Sequence, residues 1–159
     1  MKSAVCPGSF DPITYGHLDI IERASNHFDR VIVAVFENRS KNSLFNVEER
    51  MEMIRENTKT YPNVVVDSWY GLTVDFCKKN DVSVIVKGLR AVTDFDYELQ
   101  MAQVNFQAGQ VETMFMATSP THSFLSSSLV KELAHFGGDV SAMVPANVAD
   151  ALRDRLAGK

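Results

Sequence analysis

The sequence Val31-Ile32-Val33-Ala34-Val35-Phe36 decides the fold. It is a continuous apolar run rich in β-branched residues, as expected for a strand that is covered on both faces. Strands of this kind occur in parallel sheets that lie between two layers of helices. This run therefore predicts an α/β protein.

The same pattern of strand, turn and helix recurs along the rest of the chain. Further short apolar runs predict strands at Ser3–Cys6, Val64–Val66, Val82–Val86 and Thr113–Met116. Apolar residues at helical spacing predict helices over His17–Phe28, Val47–Asn57, a segment after Gly71, Asp94–Ala108, Ser126–His135 and a last segment that Pro145 opens. Five strands alternating with helices predict a single Rossmann-like domain over residues 1–159, with a five-stranded parallel sheet and helices on both faces.

Composition excludes several classes of protein. The chain has 159 residues, of which 45% are hydrophobic and 23% charged, as in an ordinary globular domain. The chain has no run of about 18 apolar residues, so no membrane span is predicted. The apolar stretch before Pro7 is too short for a signal peptide. The net charge of −4 gives no reason to expect nucleic-acid binding. We expect a cytoplasmic protein in which Cys6 and Cys77 are small buried hydrophobes in a reducing compartment.

The loop over residues 7–17, PGSFDPITYGH, joins the first strand to the first helix. In doubly wound sheets, ligands bind beyond the carboxyl ends of the strands. Gly8 and Gly16 allow close approach of the backbone to a ligand, and the helix that follows offers free N–H groups to phosphate. His17 lies one turn before Ile21 on the apolar face, so it should point inward and could donate to a phosphoryl oxygen. The alternative is a capping histidine without a chemical role, but the glycines and the loop position favour function.

This loop carries neither of the common nucleotide-binding motifs. The first strand is not followed by GxGxxG or by a Walker sequence. An ordinary dinucleotide-binding or P-loop interpretation therefore fails.

Cations follow the second and fourth strands. Arg39 and Lys41 lie in the loop after the second strand, where they could meet phosphate or form part of a solvated polar loop. Lys87 ends an otherwise apolar strand, where a charge is costly without an anionic partner. Gly88 and Arg90 fit a phosphate or ribose contact, since arginine supplies a planar fork of donors.

Acidic residues follow these cations. Asp94 and Asp96 are typical of the negative charge that favours a helix N-terminus. Glu98 lies further inside the predicted helix, so that explanation fits it less well.

The loop after the fifth strand contains Ser126-Ser127-Ser128 at a predicted helix start. Their hydroxyl and backbone N–H groups could bind a phosphate chain, although one serine is expected to be an N-cap. His122 could stack on a base or lie at the surface. His27 and His135 lie in helical contexts and are interpreted as structural or solvent-facing.

These residues together resemble a known family. Thr14-Tyr15-Gly16-His17 resembles the TxGH form of the HxGH signature of the nucleotidyltransferase superfamily, and the three serines resemble its second signature. With PGSFDPITYGH at 7–17, KGLR at 87–90, DFDYELQMAQ at 94–103 and SFLSSSLVKE at 123–132, the chain resembles the bacterial phosphopantetheine adenylyltransferases over almost its full length.

The resemblance implies adenylyl transfer from ATP to 4′-phosphopantetheine, which gives dephospho-coenzyme A and pyrophosphate in the penultimate step of coenzyme A synthesis. It also implies Mg²⁺ with the triphosphate, a homohexamer and feedback inhibition by coenzyme A. The positions that correspond to phosphopantetheine-binding residues are Ser9, Lys41, Thr73 and Lys87. Those that correspond to ATP-binding residues are Ser9, Phe10, His17, Gly88, Leu89, Arg90, Glu98, His122, Ser123, Phe124, Leu125, Ser126, Ser127 and Ser128.

The resemblance and the chemistry give a set of catalytic residues. His17 corresponds to the residue that stabilises the transition state, and Lys41 and Arg90 supply further positive charge. The attacking phosphate has a second pKa of about 6 and is largely dianionic at neutral pH, so it needs no general base. Positioning and electrostatic stabilisation are therefore the main requirements. Lys87 occupies a position where many members carry arginine, which would exchange a bidentate contact for a point charge.

Three alternatives remain open. Another superfamily member could act on nicotinamide mononucleotide or a cytidylyl substrate, although KGLR and SFLSSSLVK argue against it. A non-catalytic nucleotide-binding regulator could share the fold. A flavodoxin-like redox module would bind a coloured flavin.

Overall fold

The computed structural model describes residues 1–157, and it confirms the predicted α/β class with a five-stranded parallel sheet. Positions 158 and 159 of the predicted domain lie outside the described residues. The sheet order is β3-β2-β1-β4-β5, and every neighbouring pair is parallel. The strands are β1 Ser3–Gly8, β2 Arg30–Phe36, β3 Val64–Trp69, β4 Val84–Leu89 and β5 Glu112–Ala117.

Helices cover both faces of this sheet, as the sequence predicts. They are α1 Tyr15–Ser25, α2 Val47–Thr58, α3 Thr73–Lys79, α4 Val92–Gly109, α5 Ser127–His135 and α6 Ala146–Leu156. Buried residues of α1, α2, α5 and α6 belong to one core, and those of α3 belong to the other. No residue of α4 is buried in the single chain.

The second strand explains why the fold needs two layers of helices. Val31, Val33 and Val35 lie in the larger core, while Ile32 and Ala34 lie in the smaller core on the opposite face. Successive side chains of a strand point to opposite faces, so a continuous apolar run must be covered on both sides. The prediction made from this run is therefore confirmed.

Both cysteines are buried and free, as expected from their composition and spacing. Cys6 lies in the larger core and Cys77 in the smaller one. Over residues 1–157, none of the helices combines the length and the apolar character that a bilayer crossing requires.

The fourth strand begins and ends later than the predicted segment 82–86. The backbone N–H of Val82 still donates to the carbonyl of Cys77 at 2.9 Å, so this residue belongs to the turn after α3. At the other end, the ladder with β5 continues as far as Leu89. Backbone pairing does not require apolar side chains, so Lys87 lies inside the strand and not at its end.

The switch point of the sheet lies between β1 and β4. The two strands pair only at Ala4 with Val84 and at Val5 with Ile85. β1 pairs with β2 over all of its residues, by contrast. Beyond Val5 the ladder between β1 and β4 therefore stops, which leaves a crevice at the carboxyl ends of the strands, where ligands of such sheets bind.

Candidate active site

Two adjoining cavities occupy this crevice. One, of about 280 Å³, lies between β1, β4, α1 and the start of α5; we call it the first cavity. The second cavity, of about 200 Å³, lies towards α3, α4 and β5. Both are lined by Pro7, Gly8, Lys87 and Glu98, so the two cavities meet at these residues. Two ligands could therefore meet end to end at the switch point.

His17 lines the first cavity and is held by the start of its own helix. Thr14 is the N-cap of α1, and its hydroxyl accepts from the backbone N–H of His17 at 3.4 Å. In return, the backbone N–H of Thr14 donates to Nδ1 of His17 at 3.0 Å. Because Nδ1 accepts this bond, the proton of the neutral ring lies on Nε2. The capping role and the functional role that the sequence left as alternatives are therefore compatible.

The surroundings of His17 keep its ring neutral. Burial, together with the positive charges of Arg90 and Lys87, lowers the pKa of His17 to about 4. At neutral pH the imidazole is uncharged, so it is a hydrogen-bond donor through Nε2 and is not a cation.

Phe10 packs against this histidine. The two rings lie edge to face, with centroids 5.1 Å apart. Phe10 adopts a φ of 50°, a left-handed conformation that is uncommon for a bulky residue. A Cβ on Gly8 would lie 3.1 Å from the Phe10 ring. Glycine at this position therefore makes room for the aromatic ring that supports His17.

Lys87 has the anionic partner that its place in an apolar strand predicts. Its Nζ lies 3.3 Å from Oε1 of Glu98, on the second turn of α4. Both side chains are partly buried, with 28% and 19% of their surface exposed. This ion pair lies where the two cavities meet, so a phosphate bound there would contact the ammonium group.

Arg90 links the starts of two helices. Its Nε and Nη2 donate to the carboxylate of Asp94 in the first turn of α4, and its Nη1 donates to the carbonyl of Leu125 at 2.8 Å. Arg90 lines the first cavity beside the N-terminus of α5. A guanidinium group and a helix N-terminus both favour phosphate, so this side of the cavity suits a polyanion.

The three serines differ in what they contact. Ser126 is the N-cap of α5, and its hydroxyl accepts from the N–H of Leu129 at 3.1 Å. The hydroxyl of Ser127 donates to the carbonyl of Pro12 at 2.7 Å. Ser126 and Ser127 line the first cavity, whereas Ser128 is exposed. The hydroxyls of Ser126 and Ser127 are thus engaged in the fold, and the free N–H groups of the first turn are what this helix offers to a ligand.

Comparison with known proteins agrees with this geometry. Residues 5–133 match the family model described as cytidylyltransferase-like. The chain is 62% identical over 156 residues to the phosphopantetheine adenylyltransferase of Streptomyces coelicolor, with 98% of each chain covered. The chain belongs to the phosphopantetheine adenylyltransferase family. It is also 61% identical over 161 residues to the member from Frankia casuarinae, with 99% of each covered, and 60% identical over 159 residues to the member from Frankia alni, with 98% covered.

Solved structures of other proteins share the fold at low sequence identity. A protein from Vibrio parahaemolyticus assigned as a nicotinate-nucleotide adenylyltransferase aligns with a TM-score of 0.72 at 19% identity, covering 97% of this chain and 93% of its own. A lipopolysaccharide core biosynthesis protein from Thermoplasma volcanium aligns with a TM-score of 0.54 at 17% identity, covering 75% of this chain and 97% of its own. These two likenesses show the fold alone.

Most residues predicted from the family resemblance line one of the two cavities. Ser9 and Thr73 line the second cavity. His122 lines the first cavity, and its ring stacks against that of Tyr15 with centroids 6.1 Å apart. The predicted ATP-binding residues that line the first cavity are Phe10, His17, Gly88, Arg90, Glu98, His122, Leu125, Ser126 and Ser127.

Five predicted residues line neither cavity. Lys41 is exposed and lies in a separate groove formed by the loop after β2. The carbonyl of Leu89 accepts a hydrogen bond from the hydroxyl of Thr118, and Thr118 lines the first cavity. The remaining three are Ser123, Phe124 and Ser128, near the start of α5.

The structure adds supporting residues that the sequence analysis did not single out. Asp11 is buried and accepts from the N–H groups of Leu44 and Phe45 and from Nζ of Lys131. The guanidinium of Arg50 donates to the carbonyl of Ser9 at 2.7 Å. The bonds from Leu44 and Phe45 join the two loops that carry Ser9 and Lys41, and those from Lys131 and Arg50 tie the first loop to α5 and α2. All of them span sequence separations that no local pattern reveals.

Neither a metal cluster nor an activated thiol is found among residues 1–157. No group of three histidine, cysteine or acidic side chains could hold a metal ion in this part of the chain. Burial raises the pKa of the Cys6 thiol to about 12, so this cavity-lining residue stays protonated at neutral pH. The site can therefore bind, orient and neutralise anions with cations and N–H donors.

Proposed function

We propose that this chain transfers the adenylyl group of ATP to 4′-phosphopantetheine, giving dephospho-coenzyme A and pyrophosphate, in the penultimate step of coenzyme A synthesis. The observation that carries the proposal is the meeting of two cavities at Lys87, beside a neutral His17. A reaction between two anionic substrates requires adjoining sites with positive charge at their junction. Membership of the phosphopantetheine adenylyltransferase family supports the same reaction.

ATP occupies the first cavity and phosphopantetheine the second. The N-terminus of α5 and the guanidinium of Arg90 would bind the phosphate chain. Ser9, Thr73 and Lys87 would hold the acceptor phosphate at the junction. Met101 is one of several apolar side chains in the lining of the second cavity that would suit the pantetheine arm.

The acceptor phosphate attacks the α-phosphorus of ATP directly. A new bond forms between an acceptor oxygen and the α-phosphorus, and the bond from that phosphorus to the bridging oxygen of pyrophosphate breaks. Pyrophosphate leaves with the bonding electron pair. Because the acceptor is already dianionic at neutral pH, no protein base has to remove a proton.

His17 stabilises the charge on the α-phosphate as that group is transferred. Its Nε2–H is free to donate, because Nδ1 is occupied by the N–H of Thr14. A donor that is already oriented needs no reorganisation when the charge develops. The lowered pKa of His17 keeps this donor neutral, and Lys87 and Arg90 supply the positive charge.

Lys41 is proposed to contact the acceptor phosphate from the loop after β2. This loop is exposed, and Lys41 lines a groove outside both cavities. Its role therefore requires that the loop carry the ammonium group towards the second cavity when the substrates bind.

A divalent ion, proposed to be Mg²⁺, would accompany the nucleotide and neutralise part of its charge. The polar groups of the first cavity are mainly cations and N–H donors, which suit phosphate oxygens better than a metal ion. The triphosphate would therefore hold most of the ion's ligand positions. Asp94 and Glu98 are the carboxylates that line the first cavity, and each is already paired with a cation.

Assembly, regulation and location are parts of the same proposal. Residues 1–159 would form one nucleotidyltransferase domain in a cytoplasmic homohexamer, and coenzyme A would act as a feedback inhibitor. The exposed α4 supports assembly, since an 18-residue helix with no buried residue needs a further surface to cover its apolar side chains. Coenzyme A differs from the product by one phosphate, so it could compete for the same cavities.

Pyrophosphate release with different acceptors tests the reaction. The purified protein is assayed with ATP and Mg²⁺ in the presence of 4′-phosphopantetheine or of nicotinamide mononucleotide. In a third assay CTP replaces ATP, and phosphocholine is the cytidylyl acceptor. We expect pyrophosphate release with ATP and phosphopantetheine and not in the other two assays. Faster release with either other acceptor would contradict the proposal, and ATP binding without release would favour a non-catalytic regulator.

A further inference from the structure

The guanidinium of Arg90 is fixed on two sides. Its Nε donates to Oδ2 of Asp94 at 3.2 Å, and its Nη2 lies 3.4 Å from Oδ1 of the same carboxylate. On the other side, Nη1 donates to the carbonyl of Leu125 at 2.8 Å. A guanidinium carries five N–H groups. Three are used in these contacts, so two remain for a ligand.

Fixing this group before a ligand arrives has an energetic consequence. A free arginine side chain has about 2 kcal/mol of rotamer entropy to lose when it is ordered. Arg90 and Asp94 are only partly exposed, at 39% and 29% of their side-chain surface, and both line the first cavity. Their bidentate contact takes up part of that cost in the folded protein, which is the general advantage of a preorganised site.

We propose that Asp94 is a positioning residue for nucleotide binding, which holds Arg90 so that its two remaining N–H groups face the triphosphate beside the N-terminus of α5. The inference rests on the proposed function, in which Arg90 binds ATP. Asp94 does not itself bind phosphate, because its carboxylate would repel an anion. Its contribution passes through the orientation of Arg90.

A purely local role for Asp94 makes a different prediction. It is the third residue of α4, where a carboxylate stabilises the helix dipole by about 0.3–1 kcal/mol. That effect would be the same with or without the Arg90 side chain. The two roles therefore differ in whether the effect of Asp94 depends on Arg90.

A double-mutant cycle with Asp94→Asn and Arg90→Ala separates these roles. Steady-state turnover gives kcat and KM for each substrate in the wild type, the two single variants and the double variant. We expect Asp94→Asn to raise KM for ATP about tenfold, equivalent to about 1.4 kcal/mol. It should leave KM for phosphopantetheine within about twofold, and it should have no further effect when Arg90 is already alanine.

Two variants serve as controls. Asp96→Asn removes the same charge from an exposed position two residues further along α4, so it should leave KM for ATP unchanged. Asp94→Glu keeps the charge and should restore part of the ATP affinity. Melting temperatures of all variants report any general loss of stability.

Three results would overturn the inference. One is an equal effect of Asp94→Asn with and without Arg90, and another is a lower KM for ATP in Asp94→Asn. The third is an equal change in Asp96→Asn. Turnover by the wild type is a separate readout: its absence contradicts the proposed function, whereas normal turnover with an additive cycle contradicts only the role of Asp94.

Discussion

The backbone N–H of Thr14 donates to Nδ1 of His17 at 3.0 Å, and this bond determines which ring nitrogen of His17 faces the first cavity as a donor. The same pair caps α1, since the Thr14 hydroxyl accepts from the N–H of His17. A capping box thus presents Nε2–H to the first cavity, where we propose that the nucleotide binds. One local interaction starts the helix and orients the proposed catalytic group.

Replacing His17 should affect turnover more than nucleotide binding. His17→Ala removes a donor that stabilises the transferred phosphate, and loss of one such donor typically lowers kcat by about 100- to 1000-fold. KM for ATP should change by less than about fivefold, because the phosphate chain keeps Arg90 and the N-terminus of α5. Initial rates of pyrophosphate release measure both constants.

His27→Ala is the matched control for this substitution. His27 is exposed beyond the last residue of α1 and lines neither cavity. It should keep wild-type kinetics. Unchanged kcat in folded His17→Ala would remove His17 from the mechanism.

The neutral state of His17 also predicts how stability depends on pH. The pKa of His17 is about 4 in the folded protein, against an ordinary value of 6.5. Between these values the unfolded chain binds the proton and the folded chain does not, so stability is highest above pH 6.5 and falls towards pH 4. The melting temperature of the wild type should fall as the pH is lowered from 6.5 to 4, and the melting temperature of the His17→Gln variant should fall less. Parallel curves for the two proteins would contradict a lowered pKa.

The fold could be predicted further from the sequence than the site could. The burial of β2 on both faces follows from a local pattern and is confirmed, and the capping box that Asn46 and Glu49 form at the start of α2 is equally local. The sequence gives no order for the strands, and no sign that β1 and β4 separate beyond Val5. Strand order depends on which strands pair across the whole chain, and periodicity within one segment does not encode it.

Contacts between distant segments explain what the sequence missed in the site. Arg90 reaches the carbonyl of Leu125 across 35 residues, and Arg50 reaches that of Ser9 across 41. A side chain that bonds a distant carbonyl leaves no trace in the sequence of the acceptor, because any residue carries that group. By contrast, the cation at Lys87 could be recognised, since a charge in an apolar strand requires a partner.

Lys87 should matter for the acceptor phosphate. Lys87→Ala removes the ammonium group at the junction of the cavities and leaves Glu98 without its cation. We expect KM for phosphopantetheine to rise about tenfold, since a charged hydrogen bond contributes about 1.5–3 kcal/mol. Lys87→Arg should restore most of the affinity, because a guanidinium also binds phosphate.

Lys78→Ala supplies the comparison for Lys87, because it removes an exposed ammonium group from α3. Its KM values should equal those of wild type. A rise in KM of the same size in both variants would mean that net charge, and not the position of Lys87, determines acceptor binding.

The surface of α4 should mediate the proposed assembly. Val104 and Phe106 on this helix and Met114 on β5 are 56%, 43% and 51% exposed in the single chain. Val104→Asp places a charge on this surface and should shift the sedimentation coefficient from a hexamer towards smaller species. Asn26→Asp adds the same charge at an exposed position after α1, away from α4, and should leave the sedimentation coefficient unchanged. A monomeric wild type would contradict assembly through α4.

The fate of an oxygen label tests direct adenylyl transfer between the two cavities. 4′-Phosphopantetheine with ¹⁸O in its phosphate is incubated with ATP, Mg²⁺ and the protein, and both products are measured by mass. Direct attack on the α-phosphorus predicts that dephospho-coenzyme A keeps all of the label and that pyrophosphate carries none. Label in pyrophosphate, or no dephospho-coenzyme A at all, would contradict the proposed reaction.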